Sequence, residues 1–321
     1  MMTKRTKKWL IAAAALVAVG AITFAAVMTA YHWDFSRLNT RRYETNTYEI
    51  REGFTGIDLH TETADILFVP SSDGTAKVVC LEEENSKHTV AVRDGTLTIS
   101  VANDRAWYEH IGFDLRSPKV TVYLPKTEYA SLVIREDTGN VTLPEGFTFG
   151  TVDVTLTTGD VEACASATGR MHVQTTTGDI RLKSVSCGEL EMAVSTGSVD
   201  ARAVSCEGSV GVKVSTGDAR LTDLTCGLLR SEGSTGDFTL QNVVSKASIN
   251  IRRSTGDVRL DSCDADELEI TTDTGSITGS LLSPKVFIAH SDTGSVTVPE
   301  TTSGGKCRIT TDTGDIRITV G

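Results

Sequence analysis

Six aspartates recur directly after a Thr-Gly pair: Asp160, Asp179, Asp218, Asp237, Asp257 and Asp315. Carboxylates repeated at one spacing are hard oxygen donors, and calcium takes about six to eight such ligands. If the spacing stacks them, Asp218, Asp237 and Asp257 are the calcium candidates, because they follow three successive Thr-Gly pairs. The competing reading is that Asp here accepts N–H groups of the turn itself and faces water. The calcium-binding nonapeptide of β-helices, Gly-Gly-x-Gly-x-Asp, does not occur, and beyond calcium the sequence carries no cofactor motif.

Seven cysteines supply softer donors. Cys187, Cys206 and Cys226 each lie nine residues after a repeat glycine. Stacked in register, their Cα atoms stand about 5 Å apart, inside the disulfide range, although parallel side chains are badly aimed for bonding. A buried apolar ladder is the favoured reading, a disulfide the alternative. No Cys-x-x-Cys occurs, which speaks against zinc on spacing. His60, His88, His110, His172 and His290 share no spacing, and neither Gly-x-Ser-x-Gly nor a phosphate loop is present. Trp107 and Tyr108, in the run Trp107-Tyr108-Glu109-His110-Ile111-Gly112-Phe113, could contact a sugar through their ring faces; packing under a cap is the plainer role.

The elements that must position these groups come from one repeat. Thr-Gly followed by Asp, Ser or Asn returns ten times, with Gly139, Gly159, Gly178, Gly197, Gly217, Gly236, Gly256, Gly275, Gly294 and Gly314 spaced 19 or 20 residues apart. Self-similarity at that period marks a stacked repeat architecture. Seven and five residues before each glycine the side chain is nearly always apolar, as at Val173, Met192 and Ile251. Two and four after it the same holds, as at Ile180 and Leu182. That is strand periodicity with one buried face on either side of a turn. Parity also sends the invariant Thr before the glycine inward, and Arg253 and Glu136 fall on an inward column close enough to the corner to reach water.

The expected fold is therefore all-β: a parallel β-solenoid of about ten rungs over residues 131–321, with an antiparallel meander as the alternative. Residues 49–130 are β-rich but irregular and read as an amino-terminal cap. Within it, Ile57-Asp58-Leu59-His60 and Thr63-Ala64-Asp65-Ile66-Leu67 form a degenerate first rung with Ala in the glycine place. The last rung in sequence has no cap after it, which raises end-to-end self-association.

Ahead of this lie residues 1–8, basic; residues 9–30, apolar throughout; and residues 34–48, a linker. A run of that length crosses a bilayer. Four cations precede it, placing the amino terminus in the cytoplasm and the remainder outside; a cleaved signal peptide is the rival reading. All 42 acidic residues lie beyond the span. So acidic an exterior repels nucleic acid and anionic lipid and attracts divalent cations.

The Thr-Gly-Asp repeats, the strand-rich lead-in ending Val122-Tyr123-Leu124-Pro125 and the single anchor resemble the bacterial "putative adhesin" β-strand-repeat family of unknown function, over about residues 49–320. The anchor, the solenoid and the lack of catalytic groups point to a non-catalytic surface binding or structural module, with a cell-wall polymer or envelope protein as partner. The family is similar to accessory proteins of Gram-positive envelope-stress operons, which implies an alternative role there. A β-helix carbohydrate-active enzyme is the third reading; such enzymes need long loops to wall a cleft, and nine intervals of 19 or 20 leave no room for them.

Overall fold

The alternation of apolar and polar residues builds strands that stack rung on rung. The computed structural model describes residues 4–33, 42–101 and 117–321. Each rung has strand structure leading into the Thr-Gly corner and leaving it, such as Arg170–Thr177 and Ile180–Lys183. The next rung repeats them as Glu189–Thr196 and Val199–Cys206. Pairing is parallel and in register, with Met171 opposite Leu190, Val173 opposite Met192 and Ile180 opposite Val199. The chain is thus a parallel β-solenoid, preceded by one helix.

Apolar columns form the core. Val173, Met192 and Val212 line one side and Ile180, Val199 and Ala219 the facing one, all buried. Each such side chain contributes roughly 1.5–3 kcal/mol, and only because the rungs above and below complete its enclosure. A second corner lies six residues past the Thr-Gly glycine, where Ser184, Ala203, Asp223, Asn242 and Ser262 all take left-handed φ between 53° and 55°. A third bears a column of glycines absent from the sequence reading: Gly169, Gly188, Gly208 and Gly227 each donate an N–H to the glycine one rung earlier at 2.8 Å. The rungs are therefore three-sided.

Rung order in space departs from rung order in sequence at both ends. Strand Glu267–Thr274 pairs with Gly305–Thr313, which pairs in turn with Lys285–Thr293. The chain skips one place, lays down the outermost rung, and returns to fill the gap. Residues 305–320 are the last rung in sequence but not in space, which corrects the expectation of an uncapped terminus there. The outer edge, at Lys285–Thr293, carries exposed Val286 and Ile288. At the other end, Gly56–Thr63 and Asp65–Pro70 stack on the first regular rung with Ala64 at the corner. Outside them lie strands later in sequence, Thr96–Val101 and Lys119–Leu124.

Antiparallel strands close that end. Ala76–Glu83 pairs with Lys119–Leu124 and with Tyr43–Ile50, and His88–Arg93 pairs with Thr96–Val101. Tyr43–Ile50 lies largely in the segment read as linker; its alternating side chains and its pairing make it an edge strand instead. The helix runs Lys4–Ala30, so it begins inside the basic segment, and its stretch Lys7–Ala30 is long and apolar enough to cross a membrane.

Candidate binding surfaces and buried polar sites

The Thr-Gly corners present the aspartates as a ladder of hydrogen bonds. Asp160 Oδ1 accepts the N–H of Asp179 at 2.8 Å, Asp218 Oδ1 that of Asp237 at 2.9 Å, and Asp237 Oδ1 that of Asp257 at 2.8 Å. Asn140 does the same for Asp160, and Asp257 for Ser276. Each carboxylate thereby satisfies a donor one rung away that the corner would otherwise leave without a partner. The Ser295 N–H and hydroxyl hold the Asp315 carboxyl below its usual range. Asp218, Asp237 and Asp257 spend Oδ1 this way or on a neighbour, and their ligand atoms do not converge into a three-donor group among the described residues. What remains is a line of second carboxylate oxygens facing solvent. Arg181 bridges two of them, Asp160 Oδ2 at 2.9 Å and Asp179 Oδ2 at 2.5 Å.

The threonine before each glycine is exposed, at Thr158, Thr177, Thr196 and Thr216 among others, contrary to the parity expectation. The strand slips a residue before the corner, not at the glycine itself. The inward hydroxyl belongs to the residue two earlier: Thr175 Oγ1 donates to Gly159 carbonyl oxygen at 3.0 Å, Thr272 to Gly256 at 3.3 Å and Thr311 to Gly275 at 2.9 Å.

That same inward column holds Glu136 and Arg253, both only 3% exposed. The expectation that they reach water is therefore wrong, because the flanking rungs close over them. Glu136 accepts the Ala64 N–H at 3.0 Å, and burial pushes its carboxyl up to about 8. Arg253 is accommodated by two departures from the repeat one rung earlier. Ser231 replaces an apolar residue and accepts from Arg253 Nη2 at 3.1 Å, and Gly233 has no Cβ, which would collide with the guanidinium. The Phe238 ring lies beneath, 4.7 Å from the guanidinium carbon, and burial lowers the group to about 10, so it stays charged at neutral pH. Above this rung pair lies a surface groove of about 580 Å³ lined by Lys213, Glu232, Ser234, Arg252, Thr271 and Asp273, which mixes both charge signs.

Cys187 and Cys206 face each other in register, and Cys226 follows one rung on; all three are buried thiols. Ser245 continues their column with its hydroxyl on Gly227 carbonyl oxygen at 3.0 Å, so the column accepts any small donor. Cys206 donates to Gly188 carbonyl oxygen at 3.3 Å.

In the cap, Cys80, Glu82 and His88 are buried together, and one ligand atom of each lies within 4.8 Å of the others. Glu82 Oε2 meets His88 Nδ1 at 2.7 Å and the His88 N–H at 2.5 Å; Asn46 Nδ2 donates to Oε1 at 2.7 Å. The Tyr48 hydroxyl stands 3.3 Å from Oε1. Burial and the Glu82 charge push the Cys80 thiol up to about 12. Sequence spacing missed this trio because it joins Cys-x-Glu on one strand to a histidine beyond the next turn. Trp107, Tyr108 and His110 lie outside the described residues.

The model of the Toastrack DUF4097 family matches residues 54–225 and again 207–321. The chain belongs to that family. No curated protein matches the sequence. Among solved structures, a "putative lipid binding protein" from Parabacteroides distasonis ATCC 8503 shares 18% identity at a TM-score of 0.50, covering 74% of this chain and 96% of its own. A "putative adhesin" from Bacteroides fragilis NCTC 9343 shares 16% at 0.42, covering 87% and 97%. Another from Parabacteroides merdae ATCC 43184 shares 10% at 0.45, also covering 87% and 97%. At these identities the likeness is one of fold.

Proposed function

We propose that this Toastrack DUF4097 protein is a membrane-anchored, extracellular surface-binding module that works without catalysis. The observation that carries the reading is the division of labour across each rung. Inward threonine hydroxyls are consumed by the corners, while outward groups recur in columns, such as the carboxylate oxygens of Asp160 and Asp179 and, past Ser198, those of Asp218, Asp237 and Asp257. Columns of that kind suit a repetitive partner, which meets the same group on successive rungs about 4.8 Å apart. A cell-wall polymer or an envelope protein is such a partner. The helix supplies the tether, with the cations before it in the cytoplasm and the acidic solenoid outside.

The test is co-sedimentation of the full chain in detergent with purified cell-wall sacculi, with calcium and with chelator. Pelleting is expected, and dependence on calcium would assign the contact to the Asp218, Asp237 and Asp257 column. Failure to pellet in both conditions refutes wall binding.

A further inference from the structure

We propose that Cys80, Glu82 and His88 form a structural zinc site that locks the amino-terminal cap. Cys80 and Glu82 are two apart on strand Ala76–Glu83, so both point inward, and His88 opens the strand that follows the turn. The two strands belong to opposite sides of the solenoid: Ala76–Glu83 pairs with Lys119–Leu124, and His88–Arg93 with Thr96–Val101. The trio is where the two sides meet at the closing end of the stack.

The donor set selects the metal. Thiolate, imidazole and carboxylate are zinc ligands, whereas calcium and magnesium take oxygen. Charge balance points the same way. A thiolate, a carboxylate and a neutral imidazole around a divalent cation sum to zero, which a site this deeply buried requires. Without the cation, Glu82 is a buried carboxylate beside the buried free thiol of Cys80, and His88 Nε2 is buried without a hydrogen-bond partner.

The supporting shell is also in place. Asn46 Nδ2 holds Glu82 Oε1 at 2.7 Å from the paired strand Tyr43–Ile50, and the Tyr48 hydroxyl on that strand lies beside the same oxygen. Outer contacts of this kind fix a ligating carboxylate. A water would complete four-coordination. A bound ion would then tie three strands of the cap: the edge strand through Asn46 and Glu82, the middle strand through Cys80 and Glu82, and the opposite side through His88.

The probe is cobalt(II), added to the full chain in detergent after chelator treatment, followed by zinc competition. One cobalt per chain is expected, with intense visible absorption of a four-coordinate ion and a sulfur-to-metal band in the near ultraviolet. Zinc should bleach both and raise the unfolding temperature. Cys80→Ser should abolish the sulfur band, Asn46→Ala should weaken binding roughly 10–100-fold, and Cys206→Ser should leave the spectrum unchanged. If Cys80→Ser loses its β-sheet circular dichroism, His88→Gln replaces it, with loss of tight binding expected. No sulfur-to-cobalt band on the folded natural chain, a band that survives Cys80→Ser, or unchanged affinity in folded His88→Gln overturns the site.

Discussion

Replacing Gly217 by alanine should open the solenoid at one defined plane. Gly217 sits at φ 129°, and a Cβ there would lie 2.8 Å from the Gly197 carbonyl carbon and closer still to its oxygen. Backbone cannot yield as a side-chain tip can, so the two rungs must part. The strained φ costs about 1–3 kcal/mol. Parting also breaks the bond from the Gly197 N–H to Thr216 carbonyl oxygen and that from the Val199 N–H to Asp218 carbonyl oxygen, both 3.0 Å. At about 1 kcal/mol each, these bring the total to about 3–5 kcal/mol. Gly211, six residues earlier on the same rung, is the control. A Cβ there would meet nothing nearer than 3.8 Å, so Gly211→Ala should change stability by no more than about 1 kcal/mol. A long stack need not unfold in one step, so the assay is native-state hydrogen exchange. The amides of Gly197 and Val199 should exchange about two to four orders of magnitude faster in Gly217→Ala. Amides of Val258 and Ile277, farther along the stack, should not change. Equal exchange at Gly197 and Val199 in the two variants would refute the close approach of successive glycines.

Glu136 makes stability depend on pH. Its carboxyl, raised to about 8, holds a proton when folded that the unfolded chain releases near 4.5. Its contribution is complete below the unfolded value and is lost as pH rises through the folded one. Glu136→Gln should flatten urea-measured stability across that window, and an unchanged pH slope contradicts the burial argument. Removal of residues 305–321 should strip two strands of their partner at once, Glu267–Thr274 and Lys285–Thr293. Hydrogen exchange should then show 285–297 unprotected and Val210–Val214 unaffected; persistent protection of 285–297 would mean that the rungs stack in sequence order.

The repeat was legible because it is a one-dimensional code. Apolar residues at fixed offsets, seen at Val173 or Ile180, need only neighbours of their own kind, so the sequence period transfers directly to the stack. The corner was less legible. Alternation alone sends Thr177 inward, yet the strand slips just before Gly178 and it is Thr175 that bonds the glycine carbonyl. A slip costs a strand nothing in composition, so counting residues does not reveal it. The buried charges were misread for a related reason. Arg253 looks tolerable near a corner until Ser231 and Gly233, 22 and 20 residues earlier, are seen to face it. The zinc trio was invisible to spacing rules, since a turn between two strands that pair with different partners, and not helical or knuckle geometry, brings its members together.

Rung order at the ends shows what a period leaves undetermined. Any rung with the right columns can stack on any other, so the intervals admit either order of the last two. Packing decides between them. The rung at 305–320 carries Cys307, Ile309, Ile316 and Ile318, all buried, while that at 285–297 offers Phe287 and Ala289 and keeps Val296 exposed. Placing the more apolar rung inside buries it on both sides and leaves the weaker one to meet solvent, which is the lower-energy arrangement. One local signal does encode it. At Gly304 and Gly305 a Cβ would strike the backbone of Pro284 and Asp266, the connections above and below, so only glycine can thread the returning chain between them. The same logic holds at the other end, where residues 56–70 lie beneath strands that come later in sequence. Residues 56–70 and 305–320 are therefore each held between two rungs, and neither segment can detach without breaking two interfaces instead of one.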